Sequence, residues 1–197
     1  MTMSTSENIK NSGLVLLKTY ENVNKMMEQC RTSAPTAGYE KVSDKFLRYK
    51  SDSEPYGWLI NSFILLFQKK TDEEVNCGWK NGPVYAVEIV LFDPNDSSKL
   101  PELRLSKFDY EDIKSWTHTS SSADHWGYHN PVDKSYSRDF NHEEFDWYTI
   151  STPKNDRIKN GYWGLLKAIT TKCDLIEITS STLTDKVFGS FDKLSEI

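Results

Sequence analysis

The sequence predicts an α+β fold, a single domain in which a mainly antiparallel sheet of about four to six strands is flanked by N- and C-terminal helices. Three observations predict it. Apolar residues recur at helical spacing near both ends, short apolar runs bounded by turn residues fill the middle, and one of those runs alternates apolar with polar residues.

The elements follow in chain order. A polar opening, residues 1–12, is expected to be disordered, with the domain occupying 13–197. Leu16, Tyr20, Val23, Met27 and Cys30 then recur every three or four residues, which puts them on one stripe of an amphipathic helix. Ser12 is its expected N-cap, and Pro35 lies just past its end. Tyr39, Val42, Phe46 and Tyr49 repeat the spacing and predict a second short helix, followed by a turn at Ser53-Glu54-Pro55-Tyr56-Gly57. Trp58 to Phe67 is apolar at both parities, the pattern of a strand covered on both faces, and is the expected sheet centre. Asn81-Gly82-Pro83 leads into a second strand, Val84 to Phe92, and Asp93-Pro94-Asn95-Asp96 reads as a type I turn. From Glu102 to Lys107, Leu103 and Leu105 alternate with Glu102, Arg104 and Ser106, which predicts a strand exposed on one face. Together these three form an antiparallel meander.

Tyr110 to Trp116 predicts a turn of helix, and a long loop is expected near 117–143. Phe145 to Thr152 reads as a strand, Tyr162 to Thr171 as a helix despite Gly164, and Asp174 to Thr179 as a strand. Val187, Phe188, Phe191 and Leu194 predict a closing amphipathic helix packed on the same domain.

Composition narrows the function classes. A formal charge of −5 and a pI near 5.4 argue against nucleic acid, whose binders carry a dense basic footprint. Residues 118–147 hold six acids against Lys134 and Arg138, so much of the excess negative charge sits on one stretch. Such a patch favours a basic partner over a phosphate. Cys30, Cys77 and Cys173 are odd in number and far apart, which predicts a reducing compartment, with the cytoplasm as the default. Neither a signal peptide nor a membrane span is expected.

All four histidines, His118, His125, His129 and His142, fall within 25 residues of the expected loop. Imidazole and carboxylate donors suit a divalent metal, so His125, His129 and His142 are candidate ligands, with Glu143 as the base of a metal-dependent hydrolase. The spacing lacks an H-E-x-x-H pattern, and Gly127 with Asn130-Pro131 argues against a helix that would align His125 with His129. Cys77 is the cysteine placed in a loop, but no His and Asn arrangement surrounds it. Phosphate-cradling glycine motifs are absent, as is any nucleophile elbow, which leans the reading away from an enzyme and away from a cofactor other than such a metal.

The leading expectation is a small intracellular protein-interaction module of the adaptor or inhibitor kind. It would present Trp116, Trp126, Tyr128, Asp124, Glu143 and Glu144 as an acidic, aromatic surface to a protein partner. Trp147 is expected to face the core of its strand, whereas Trp126 has the best claim to a partner. The alternatives are the metal-dependent hydrolase and an aromatic platform for a sugar or other small ligand.

Overall fold

A computed structural model describes residues 4–52, 55–75, 78–93, 96–116 and 124–197. His118, Cys77 and parts of the turns expected at 53–57 and 93–96 lie outside the described residues.

Among the described residues seven antiparallel strands form one sheet, more than the four to six expected, in the order β1-β2-β3-β4-β7-β6-β5. They are β1 (Tyr39–Lys41), β2 (Ser62–Lys69), β3 (Val84–Val90), β4 (Glu102–Tyr110), β5 (Phe140–Glu144), β6 (Thr149–Pro153) and β7 (Leu165–Asp174). The meander β2-β3-β4 forms as its apolar runs predict, but the middle strand is β4 and not β2, the expected centre, which lies next to the edge strand β1. The chain then leaves the sheet after β4, crosses one face, builds the hairpin β5-β6 at the far side, and returns as β7 between that hairpin and β4.

Alternation sorts the strands' side chains onto two cores. Phe63, Leu65, Phe67, Tyr85, Val87, Ile89, Leu103 and Leu105 face the helices α1 (Thr5–Ser33) and α4 (Leu183–Ser195). Val23, Met27 and Cys30 of α1 and Val187, Phe188 and Phe191 of α4 close that layer, as their helical spacing predicts. The opposite face, with Ile64, Leu66, Val84, Ala86 and Phe108, is covered by crossing segments that contribute Ile113, Trp116, Tyr128, Val132 and Tyr162.

Several expectations are corrected. Helix α1 begins at Thr5, capped by Ser4 in a reciprocal capping box with Glu7, so residues 5–12 are helical and Ser12 is internal. No helix forms at Tyr39 to Tyr49; Tyr39 opens β1, and its buried ring packs on Tyr85 and Phe188. Strand β2 starts at Ser62, because Pro55–Trp58 is a 3-10 turn. Phe145 to Thr152 is a hairpin turn with the start of β6, and the run expected to be a helix from Tyr162 is mostly β7. Helix α3 (Asp156–Gly161) precedes it, and Trp163 (φ 57°) and Gly164 (φ 82°) turn the chain between them. Beyond β7, Leu175–Glu177 is a 3-10 turn where a strand was expected. Among the described residues no helix is long and apolar enough to cross a membrane.

Candidate functional site

Strand β4 departs most from its sequence pattern. Glu102, Arg104 and Ser106 read as a solvent face, yet Arg104 and Ser106 are 4% and 1% exposed. The reason is the segment after β4, which lies over this face, so polar side chains of the central strands are roofed rather than hydrated. Glu88 of β3, 2% exposed, stands directly opposite Arg104 in the strand register, and Lys172 of β7 stands opposite Arg104 on the other side.

The roof is α2 (His125–His129) and the two 3-10 turns that follow it, Asn130–Val132 and Lys134–Tyr136. A helix forms here despite Gly127, and the contact made by Gly127 explains why. A β-carbon at that position would lie 2.2 Å from the Trp163 ring, so a glycine lets the indole press against the helix backbone. Pro131 falls after α2, in the first turn of the next 3-10 segment, where its missing N–H costs nothing. The helical turn brings His125 and His129 to one face, their rings stacked with centroids 4.9 Å apart.

Both imidazoles point down to the sheet. His125 Nε2 lies 2.8 Å from Ser62 Oγ, Ser62 Oγ lies 2.6 Å from Glu88 Oε1, and His129 Nδ1 lies 2.5 Å from the same oxygen. Proton counting orients this chain. A carboxylate only accepts, so Ser62 donates its single proton to Glu88 and accepts from His125 Nε2–H, while His129 donates to Glu88 from the other side. His125 thus keeps Nδ1 as its acceptor.

Arg104 completes the cluster. Its Nε donates to Glu102 at 2.5 Å, and Nη1 donates to Asp133 at 3.0 Å and reaches Glu88 at 3.5 Å. Asp133 is held by the turn it caps, accepting from the Ser135 amide. Lys172 meets Glu102 at 3.2 Å from the exposed side.

The electrostatics are strongly coupled. Burial alone would push the Glu88 carboxyl up, but the His129 charge and hydrogen bond, then Arg104 and Ser62, outweigh it and leave Glu88 well below the usual carboxylate range. Burial likewise works against a charged His129, and Glu88 reverses it, so the imidazole titrates above its ordinary value. For His125, burial and then the nearby His129 charge push the value down to about 4, and this ring is neutral near pH 7. Asp133 is depressed against its own burial by Ser135 and Arg104. Glu88, Glu102 and Asp133 are therefore each within ion-pair reach of Arg104, with His129 beside Glu88 and Asp133 and Lys172 beside Glu102.

Glu102, Arg104, His125, His129 and Asp133 of this cluster line a cleft of about 490 Å³. Tyr49, Trp126, Tyr136, Phe92 and Leu100 line it above His125, His129, Arg104 and Asp133. Trp126 is 39% exposed, its indole braced by Tyr162 and Trp163. Buried charges grouped in a concavity with aromatic walls have the hallmarks of a ligand site.

The residues singled out from sequence scatter. His125 and His129 join the cluster, with Glu88, as three metal-capable groups whose donor atoms lie within 4.8 Å of one another. His142 is elsewhere, on β5, bonded through Nδ1 to Ser151. Glu143 and Glu144 are exposed on the same strand, and Glu144 pairs with Lys134. Asp124 is exposed just ahead of α2. Trp116 and Tyr128 are buried, Trp116 bonded to the Trp163 carbonyl and Tyr128 edge-on to Phe108. Trp147 is 46% exposed in the β5-β6 turn, not in the core, because the strand expected there is a hairpin bend. Ser62, Glu88 and Arg104 are the residues that sequence reasoning missed. Ser62 and Glu88 show as polar residues interrupting apolar runs, whereas Arg104 is one of several polar residues in the alternating strand β4.

Compared with known proteins, the chain matches no family model, no curated protein and no solved structure.

Proposed function

We propose that the protein binds a small, uncharged, polyhydroxylated ligand of the sugar class in the cleft between α2 and the sheet. The observation that carries this reading is Arg104 paired with Glu102 and Asp133 in the lining of a cleft with aromatic walls. Fixed carboxylate and guanidinium pairs suit hydroxyls that both donate and accept, and Tyr49, Trp126 and Tyr136 offer faces for the apolar side of a pyranose. Arg104 pairs with Glu102 and Asp133 and Lys99 with Asp93 in the cleft lining, so its charged groups already have partners within the protein. Trp126 makes the reading testable by tryptophan fluorescence titrated with a panel of mono- and disaccharides. At least one sugar should quench the emission saturably, and the quench should vanish in Trp126→Phe. A panel without a saturable response from the wild-type protein refutes the reading.

A second reading rests on Glu88, His125 and His129, whose clustered donor atoms suit a divalent metal of the zinc type. It keeps two of the ligands expected from sequence and replaces His142 by Glu88. Elemental analysis of protein purified without a metal-affinity tag tests it, with about one equivalent of metal expected. Less than a tenth of an equivalent removes it.

A further inference from the structure

Among the described residues strand β5 is the last on its side of the sheet and pairs only with β6. The hydrogen bonds at the two ends of the hairpin fix which of its backbone groups are already used. The Phe145 amide donates to the Tyr148 carbonyl at 2.8 Å, and the Lys154 amide donates to the Asp139 carbonyl at 3.0 Å. Both belong to one register, in which Asn141 faces Thr152 and Glu143 faces Ile150. In an antiparallel ladder hydrogen-bonded and non-bonded pairs alternate, so Asp139, Asn141, Glu143 and Phe145 turn their backbone groups inward to β6. Phe140, His142 and Glu144 turn theirs outward.

The surroundings of this edge are not neutral. Asn141, Glu143 and Glu144 are exposed along it, and the turn beyond adds Asp146. Lys134 pairs with Glu144, and Lys154 and Lys172 lie near enough to His142 and Glu144 to act on them, whereas Glu143 and Asp146 make no ion pair among the described residues. At the turn Phe145 and Trp147 are 41% and 46% exposed, and both rings contact Tyr148, with centroids 4.6 and 4.8 Å away. The aromatic knuckle therefore stands at the end of an acidic strand with open backbone groups.

We propose that β5 is a docking edge for a basic, extended segment of a protein partner, which adds to the sheet as an eighth strand. Main-chain bonds to His142 and Glu144 supply the pairing, Glu143 and Asp146 select lysine or arginine, and Phe145 with Trp147 take an apolar residue at the segment's end. A second copy of this chain is disfavoured as the occupant, since the same acids would face each other across the new ladder. This proposal is independent of the cleft, which opens between α2 and the sheet.

The probe is a synthetic decapeptide alternating lysine with valine, compared with the same peptide carrying glutamate for lysine, titrated into 15N-labelled full-length protein. The lysine peptide should shift the β5 resonances and slow hydrogen exchange at the His142 and Glu144 amides, leaving the Glu143 amide protected as before. Glu143→Lys combined with Asp146→Lys, which alters no backbone bond, should weaken binding at least tenfold. Trp147→Ser should weaken it about three- to tenfold. Equal binding of the glutamate peptide overturns the proposal, as does failure of the lysine peptide to protect those two amides. A dimer seen by sedimentation and abolished by the double reversal overturns it in favour of self-association.

Discussion

Glu88 is the only charged residue in Val84–Val90, and its partners come from three other parts of the chain: Ser62, Arg104 and His129. Removing one member of a buried ionic group strands the others, which typically costs about 3–5 kcal/mol. Glu88→Gln keeps the shape and deletes the charge, so urea denaturation should show a loss of that order. A loss below about 1 kcal/mol would mean that Arg104 and His129 do not depend on it. The pH dependence carries a definite sign. His129 titrates above its unfolded value of about 6.5, so its contribution is whole below that pH and lost as pH rises through the folded value. Glu88 and Asp133 are depressed, so theirs is present above the unfolded values and lost on acidification. The stability gap between wild type and His129→Gln should be widest near pH 6 and shrink towards pH 9, as read by thermal melts across that range. A gap that is constant or grows with pH contradicts the ion pair. At this scale the sequence offered His125 and His129 but not Glu88. A single acid in an apolar strand looks like a solvated interruption, and its counter-charges are distant in sequence.

Elements were legible where local periodicity and tertiary packing agree. Helices α1 and α4 keep their apolar stripes because both stripes meet the same sheet face. Tyr162 to Thr171 was misread because Leu165, Ala168 and Ile169 satisfy a helical spacing, while β-branched Ile169, Thr170 and Thr171 and the turn at Gly164 suit a strand that pairs with β4 along its length. Tyr39 to Tyr49 fails as a helix for a related reason: Tyr39 and Leu47 bond to β2 instead. Helix α2 shows the converse, since tertiary contact overrides a poor local preference. Gly127→Ala would gain about 1 kcal/mol from helix propensity alone. The Trp163 ring occupies the space a β-carbon needs, so overpacking of about 1–3 kcal/mol should dominate. A lower melting temperature with altered tryptophan emission is the expected result, and a stabilised variant would show that the indole moves aside freely. The first turns of α1 behave differently again. Ser4 to Leu14 are exposed throughout, so deleting residues 1–12 should change the melting temperature by less than about 4 °C, which corresponds to under about 1 kcal/mol for a domain of this size. A larger drop would show that this end of the helix packs on something.

At the scale of the whole molecule, two cores of different character share one sheet. The helix-covered face is mainly apolar, with buried Lys107 at one end of β4, whereas the face under α2 mixes Trp, Tyr and Phe with a buried charge cluster. That asymmetry arises from chain routing: the excursion from β4 to β7 roofs the polar side chains of β2, β3 and β4 and leaves a cleft above them. The sheet class was readable from the apolar runs, but the roof was not, because its placement depends on contacts between His125, His129 and strands some forty or more residues away. Ligand-induced stabilisation tests the cleft most directly, since a ligand at one hundred times its dissociation constant adds about 2.7 kcal/mol to the folded state. Thermal melts of wild type and Asp133→Asn should be compared across the saccharide panel, each referred to its own ligand-free melt. The account predicts a concentration-dependent rise in melting temperature for wild type with at least one sugar and little or none for the variant. No rise with any sugar, or the same rise in both proteins, would contradict it.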